Sequence, residues 1–127
     1  MTTEEQRKPL VLIVDDDDAI NGGLQMILES ANYDTMIARN GEEAKEILQQ
    51  QKPDAMTLDI NMPELSGLEL LDFFQGTDGL EGIKIILMSG QPEDELIEGV
   101  VAGADWVLQK PLDLSEVIKV LEDLLSK

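Results

Sequence analysis

Short apolar runs alternate with helix-periodic stretches along the whole chain, and this alternation restricts the fold more than any other feature. The first run, LVLIV at 10–14, gives way to acids and then to Ile20, Leu24, Ile27 and Leu28, spaced for one face of a helix. The unit then recurs. TMIA at 35–38 is a strand, and a helix predicted over 41–51 buries Ala44, Ile47 and Leu48 and stops before Pro53. AMTLD at 55–59 is the third strand, followed by a short helix near 68–74. IKIILMS at 83–89 is the fourth, followed by a helix through 97–102 that opens on Glu93, Asp94 and Glu95, acids suited to a helix N-terminus. DWVLQ at 105–109 is the fifth, and the last helix, 114–125, carries Leu114, Val117, Ile118, Leu121, Leu124 and Leu125 at helical spacing.

Continuously apolar strands that alternate with helices imply an α/β fold, a parallel sheet covered on both faces. Five βα units are too few to close an eight-stranded barrel. The expectation is a (βα)5 flavodoxin-like doubly wound sheet of five strands in the order 2-1-3-4-5. The 127 residues fit one domain, read as a polar tail at 1–8 and a folded unit at 9–127.

Composition removes whole classes of chemistry. The chain has no Cys and no His, which excludes Cys-His and Ser-His-Asp nucleophiles, an imidazole base, an ordinary zinc site and disulfides. Nine basic residues against 27 acidic ones leave a net charge of −18, which repels nucleic acid and anionic membrane. The longest unbroken apolar run is far below a membrane span and no signal peptide precedes it, so a soluble, cytoplasmic protein is expected.

In such a sheet, ligands bind at the carboxyl ends of the strands. The first strand ends on Asp15 and Asp16, the third on Asp59, the fourth on Ser89, and the fifth just before Lys110. Three carboxylates gathered in one crevice repel one another unless positive charge sits among them. Lys110 supplies one charge, and an oxygen-loving divalent cation, Mg2+ or alternatively Mn2+, would supply the rest. A cation, an ammonium and a hydroxyl suit phosphoryl transfer, in which positioning and neutralisation of charge dominate. Asp59, central between the acid pair and the lysine, is the natural covalent acceptor.

The blocks VLIVDDD at 11–17, LDINMPELSGLEL at 58–70, ILMSG at 86–90 and GADWVLQKPL at 103–112 resemble the receiver domain of bacterial two-component response regulators. The likeness covers about 8–125, with all blocks in order. It implies a phosphorelay signalling switch in which Asp59 accepts a phosphoryl group from a partner histidine kinase or His-containing phosphotransfer protein. Asp15 and Asp16 would hold Mg2+ with Asp59 and the backbone carbonyl of Asn61, while Ser89 and Lys110 would bind the phosphoryl oxygens. The peptide before Pro111 would be cis. Mg2+-dependent self-phosphorylation and slow autodephosphorylation are expected, not turnover catalysis. The donor imidazole belongs to the partner, which accounts for a chain without histidine.

Several positions depart from the family pattern. Val107 stands where the family usually has Tyr or Phe as an aromatic switch, with Trp106 just before it; Leu112 replaces a common Phe, and Gly90 a common Ala. Any switch would then run through backbone shifts or Trp106, and Trp106 also reads as a residue packed on a helix edge. Asn61 and Gln91, two residues after Asp59 and Ser89, are the positions expected to tune phosphoryl lifetime. Asp17 and Asp18 read as loop and cap residues, and Pro63 and Gly67 as loop-shaping residues. Gly22 and Gly23 serve either close helix packing or the docking of a partner helix.

Output is expected through the face of the fourth predicted helix, the fifth strand and the last helix, toward a downstream protein partner, whether the chain stands alone or is part of a longer regulator. The alternative is an unphosphorylated receiver-like interaction module, favoured only by Val107. A phosphohydrolase is disfavoured because Asn61 occupies the place of its usual general acid. A flavin or nucleotide binder is disfavoured by the absence of a Gly-rich phosphate loop and by only 3% aromatic residues.

Overall fold

Strands without a polar face must be covered on both sides, and three of the five are. β1 (Leu10–Val14) and β3 (Ala55–Asp59) are buried at every residue, and β4 (Lys84–Ser89) at all but its first. β2 (Asp34–Ala38) and β5 (Trp106–Gln109) are more exposed, as edge strands are. The computed structural model describes residues 8–60, 67–77, 79–90 and 103–126, and in it the strands pair in parallel in the order β2-β1-β3-β4-β5. This is the flavodoxin-like doubly wound sheet expected from the alternation.

Four helices are described: α1 (Asp18–Ser30), α2 (Gly41–Gln50), α3 (Gly67–Gln75) and α4 (Leu114–Leu125). Because side chains alternate along a strand, each strand feeds two cores. Leu12, Val14, Met56, Leu58, Ile85 and Leu87 face Ala44 and Leu48 of α2 and Leu70, Leu71 and Phe74 of α3. Val11, Ile13, Ala55, Ile86, Met88 and Leu108 face Leu24 and Leu28 of α1 and Val117, Leu121 and Leu124 of α4. Burial of each such Leu or Ile contributes roughly 1.5–3 kcal/mol, which anchors the helices to the sheet.

Local chemistry sets the boundaries. Asp17 caps α1, its side chain accepting from the amides of Ala19 and Ile20, and Asp113 caps α4 through the amide of Ser115. Asn40 caps α2 by accepting from Glu43, whose carboxylate accepts from the Arg39 amide. α2 stops at Gln50, one residue before the predicted end, because Gln51 is already extended. β5 starts at Trp106, since Asp105 turns its carboxylate onto the Ile85 amide. Gly103 has φ +101°, a backbone conformation that strains any residue with a Cβ, and the end of the Gln75 side chain occupies the space such a Cβ would need.

One packing expectation is revised. Ile20, Ile27 and Ile47 are only partly buried, and the innermost stripe of α1 is Asn21, Leu24 and Leu28. The helix predicted through 97–102 lies outside the described residues, and so does Pro63.

Candidate functional site

Strand parity assembles the site. Val11 and Ile13 put Asp15 on the α1/α4 side of the sheet, Ala55 and Thr57 put Asp59 there, and Leu108 does the same for Lys110. Asp15 follows β1, Asp59 ends β3 and Lys110 follows β5, so all three meet at the carboxyl edge. Lys110 Nζ donates to Asp15 Oδ2 at 3.0 Å and lies 3.3 Å from Asp59 Oδ1. Asp15 and Asp59 are buried, at 0% and 3% exposure, while Asp16 is exposed.

One carboxylate oxygen from each of Asp15, Asp16 and Asp59 can be chosen so that all lie within 4.8 Å of one another. Three carboxylates against one ammonium leave two formal negative charges, which a single divalent cation matches. An all-oxygen donor set with no imidazole or thiolate suits a hard cation. Lys110 responds to the same field. Partial burial alone lowers the pKa of its ammonium, but the hydrogen bond to Asp15 and the charges of Asp59 and Asp15 outweigh this and raise it above the ordinary 10.5.

Ser89 is fully buried at the end of β4, beside Asp59 through the Asp59 to Met88 register. Its carbonyl accepts from the Lys110 amide at 2.7 Å, which ties the hydroxyl position to the lysine position. The Lys110–Pro111 peptide is cis. Asn61 and Gln91 lie outside the described residues. Val107 borders a cavity of about 320 Å³ that reaches Ser89, Gln109 and Pro111. Trp106 is 49% exposed and therefore lies outside the core. An added Cβ at Gly22 or Gly23 would meet nothing within 4 Å, so these glycines do not serve close packing.

Two buried polar residues escaped the sequence reading. Asn21, 2% exposed, donates from Nδ2 to the Asp15 carbonyl at 2.8 Å, and its Oδ1 has no partner among the described residues. Thr57, fully buried two residues before Asp59, likewise has an unpartnered hydroxyl. The available signal was a polar residue heading the i, i+3, i+7 stripe of α1, and another inside an otherwise apolar strand.

Known proteins resemble this chain in sequence and in fold. MprA of Mycobacterium tuberculosis H37Rv, a response regulator, is 34% identical over 118 residues, which cover 92% of this chain and 50% of that protein. The chain thus spans about half the length of the curated relatives it matches. The chemotaxis protein CheY4 of Vibrio cholerae superposes with a TM-score of 0.87 at 27% identity, over 93% of this chain and 99% of that one. The receiver domain of a signal transduction histidine kinase from Syntrophus aciditrophicus gives 0.86 at 31% identity, over 93% and 90%. The profile of the response regulator receiver domain matches residues 11–122, and with the strand-end acids and lysine on the same edge, the chain belongs to that family of two-component signalling switches.

Proposed function

We propose that this chain, folded as one receiver unit over 9–127 after a polar tail at 1–8, takes a phosphoryl group onto Asp59 in a cytoplasmic phosphorelay. The observation that carries the reading is the convergence of Asp15, Asp16 and Asp59 with Lys110 held 3.0 and 3.3 Å from two of them. A carboxylate oxygen of Asp59 forms the new P–O bond as the P–N bond of a partner's phosphohistidine breaks. Asp15 and Asp16 hold Mg2+ with Asp59 and the Asn61 carbonyl, and Mn2+ can replace it. When bound, that cation neutralises charge on the transferring oxygens. Ser89 donates to one phosphoryl oxygen, and Lys110 turns from Asp59 to pair with another. Asn61 and Gln91 set the lifetime of the product, which decays by slow autodephosphorylation.

The phosphodonor, a histidine kinase or phosphotransfer protein, approaches along α1. A largely apolar groove of about 250 Å³, lined by Ala19, Ile20, Gly23, Pro111, Leu112 and Leu114, runs up to Lys110. Output passes to a downstream protein partner over the face that includes β5 and α4, without direct nucleic-acid contact. No described helix is long and apolar enough to cross a membrane. With Val107 in place of an aromatic, the change is read through backbone shifts near Ser89 and Lys110.

Incubation with acetyl phosphate, with and without Mg2+, followed by intact mass measurement, tests the reading. One phosphoryl increment that needs Mg2+ and disappears in Asp59→Asn is expected. Full labelling of the folded variant would refute the assignment to Asp59. The departure at Val107 favours one competing reading, an unphosphorylated interaction module, which would show uptake of neither metal nor phosphoryl.

A further inference from the structure

Asp15 is gripped at four atoms. Its amide donates to the Ala38 carbonyl at 3.2 Å, Oδ1 accepts from the Asp17 amide at 2.9 Å, Oδ2 accepts from Lys110 at 3.0 Å, and its carbonyl accepts from Asn21 Nδ2 at 2.8 Å. The first three are backbone groups or the lysine of the site. The fourth comes from the inner face of α1.

That fourth contact is chemically costly to keep. Asn21 heads the buried stripe completed by Leu24 and Leu28, where an apolar side chain would pack without an unpartnered oxygen. Asparagine is also a poor former of helix interiors. A polar residue kept in a core with half of its amide unpartnered, its one side-chain bond going to the backbone of a candidate site residue, points to that site.

The geometry supplies the reason. Asp15 lies past the last β1 residue, so the sheet ladder no longer fixes its carbonyl. A peptide group is planar, and fixing the Asp15 oxygen therefore fixes the amide and the Cα direction of Asp16. The Asn21 amide thereby sets how the exposed carboxylate of Asp16 stands relative to the buried ones of Asp15 and Asp59. We propose that Asn21 is a positioning residue for the divalent cation site, acting through the Asp15 carbonyl to hold the acid pair in register with Asp59. This rests on the metal-site reading given above.

The test is Mn2+ binding followed by electron paramagnetic resonance of the free ion, on the whole chain and on Asn21→Leu, Asn21→Ala and Thr57→Val, each checked as folded by near-ultraviolet circular dichroism. Thr57→Val is the control, because it removes the other unpartnered buried polar atom on the same sheet face without touching Asp15. Loss of an outer partner of a metal ligand weakens binding about tenfold or more, and that loss is expected for both Asn21 variants, with Thr57→Val unchanged. If Asn21→Leu fails to fold, the smaller Asn21→Ala decides. Mn2+ affinity within about twofold of the parent in a folded Asn21 variant would overturn the inference, since a purely structural asparagine changes stability alone. Equal loss in Thr57→Val would overturn it too, by assigning the effect to general loosening of the core. Absence of Mn2+ binding in the parent chain would overturn the metal-site reading itself, and this inference with it.

Discussion

Lys110 stands between two buried carboxylates, and its two contacts decide what its removal does. Lys110→Met leaves Asp15 and Asp59 without their ammonium and is expected to destabilise the protein by about 3 kcal/mol at neutral pH. The pH dependence has a definite sign. A lysine whose folded pKa lies above its ordinary 10.5 contributes stability that is complete below that value and lost as pH rises through the folded one. Tyr33 acts in the same direction, because burial, then the Glu122 charge, raises its pKa above the ordinary 10.0. Urea unfolding followed above pH 10 should therefore show a falling midpoint, with a shallower fall in Lys110→Met and in Tyr33→Phe. A slope unchanged in both variants would refute this account. Asp15 and Asp59 were legible in the sequence because one directly follows and the other ends a largely apolar run, and Asp16 because it adjoins Asp15. Asn21 was not legible, since a lone polar residue near a helix start looks like a solvated one until its carbonyl partner is placed.

At the scale of elements, position along a strand separates the aspartates that close the sheet from those of the candidate site. Asp54 and Asp105 precede β3 and β5 and accept from the Leu10 and Ile85 amides at 2.7 and 2.8 Å, closing the amino edge of the sheet. Asp15 and Asp59 sit at the opposite edge, where a charged group instead faces them. The strands and the last helix were readable from periodicity, whereas the exact starts of β2, β4 and β5 were not, because ladder pairing extends or trims a strand regardless of local hydropathy. α1 shows the same divergence. Its two adjacent glycines weaken the helix, and an added Cβ meets nothing at either. Gly22→Ala should then raise stability by about 1 kcal/mol in chemical denaturation. Gly23→Leu, filling the groove that leads to Lys110, should leave labelling by acetyl phosphate intact and slow transfer from a phosphohistidine protein. Transfer from the phosphohistidine protein as fast in Gly23→Leu as in the parent would remove α1 as the docking element.

At the scale of the molecule, a net charge of −18 works against compaction, and two remedies differ in kind. Monovalent salt screens the whole surface and acts on every acidic variant alike. A divalent cation held by Asp15, Asp16 and Asp59 stabilises by mass action, about 2.7 kcal/mol at a hundred times its dissociation constant. In urea titrations at about 0.15 M NaCl, where the screening length is about 8 Å, added Mg2+ should raise the midpoint of the parent protein and leave Asp16→Ala and Asp59→Asn nearly unmoved. Further NaCl without Mg2+ should raise all three together. Were Mg2+ to shift the variants as far as the parent, the cation would be acting on the surface field and the carboxyl-edge cluster would hold no ion. A shift confined to the parent ties the stability of the whole sheet to three side chains at one edge.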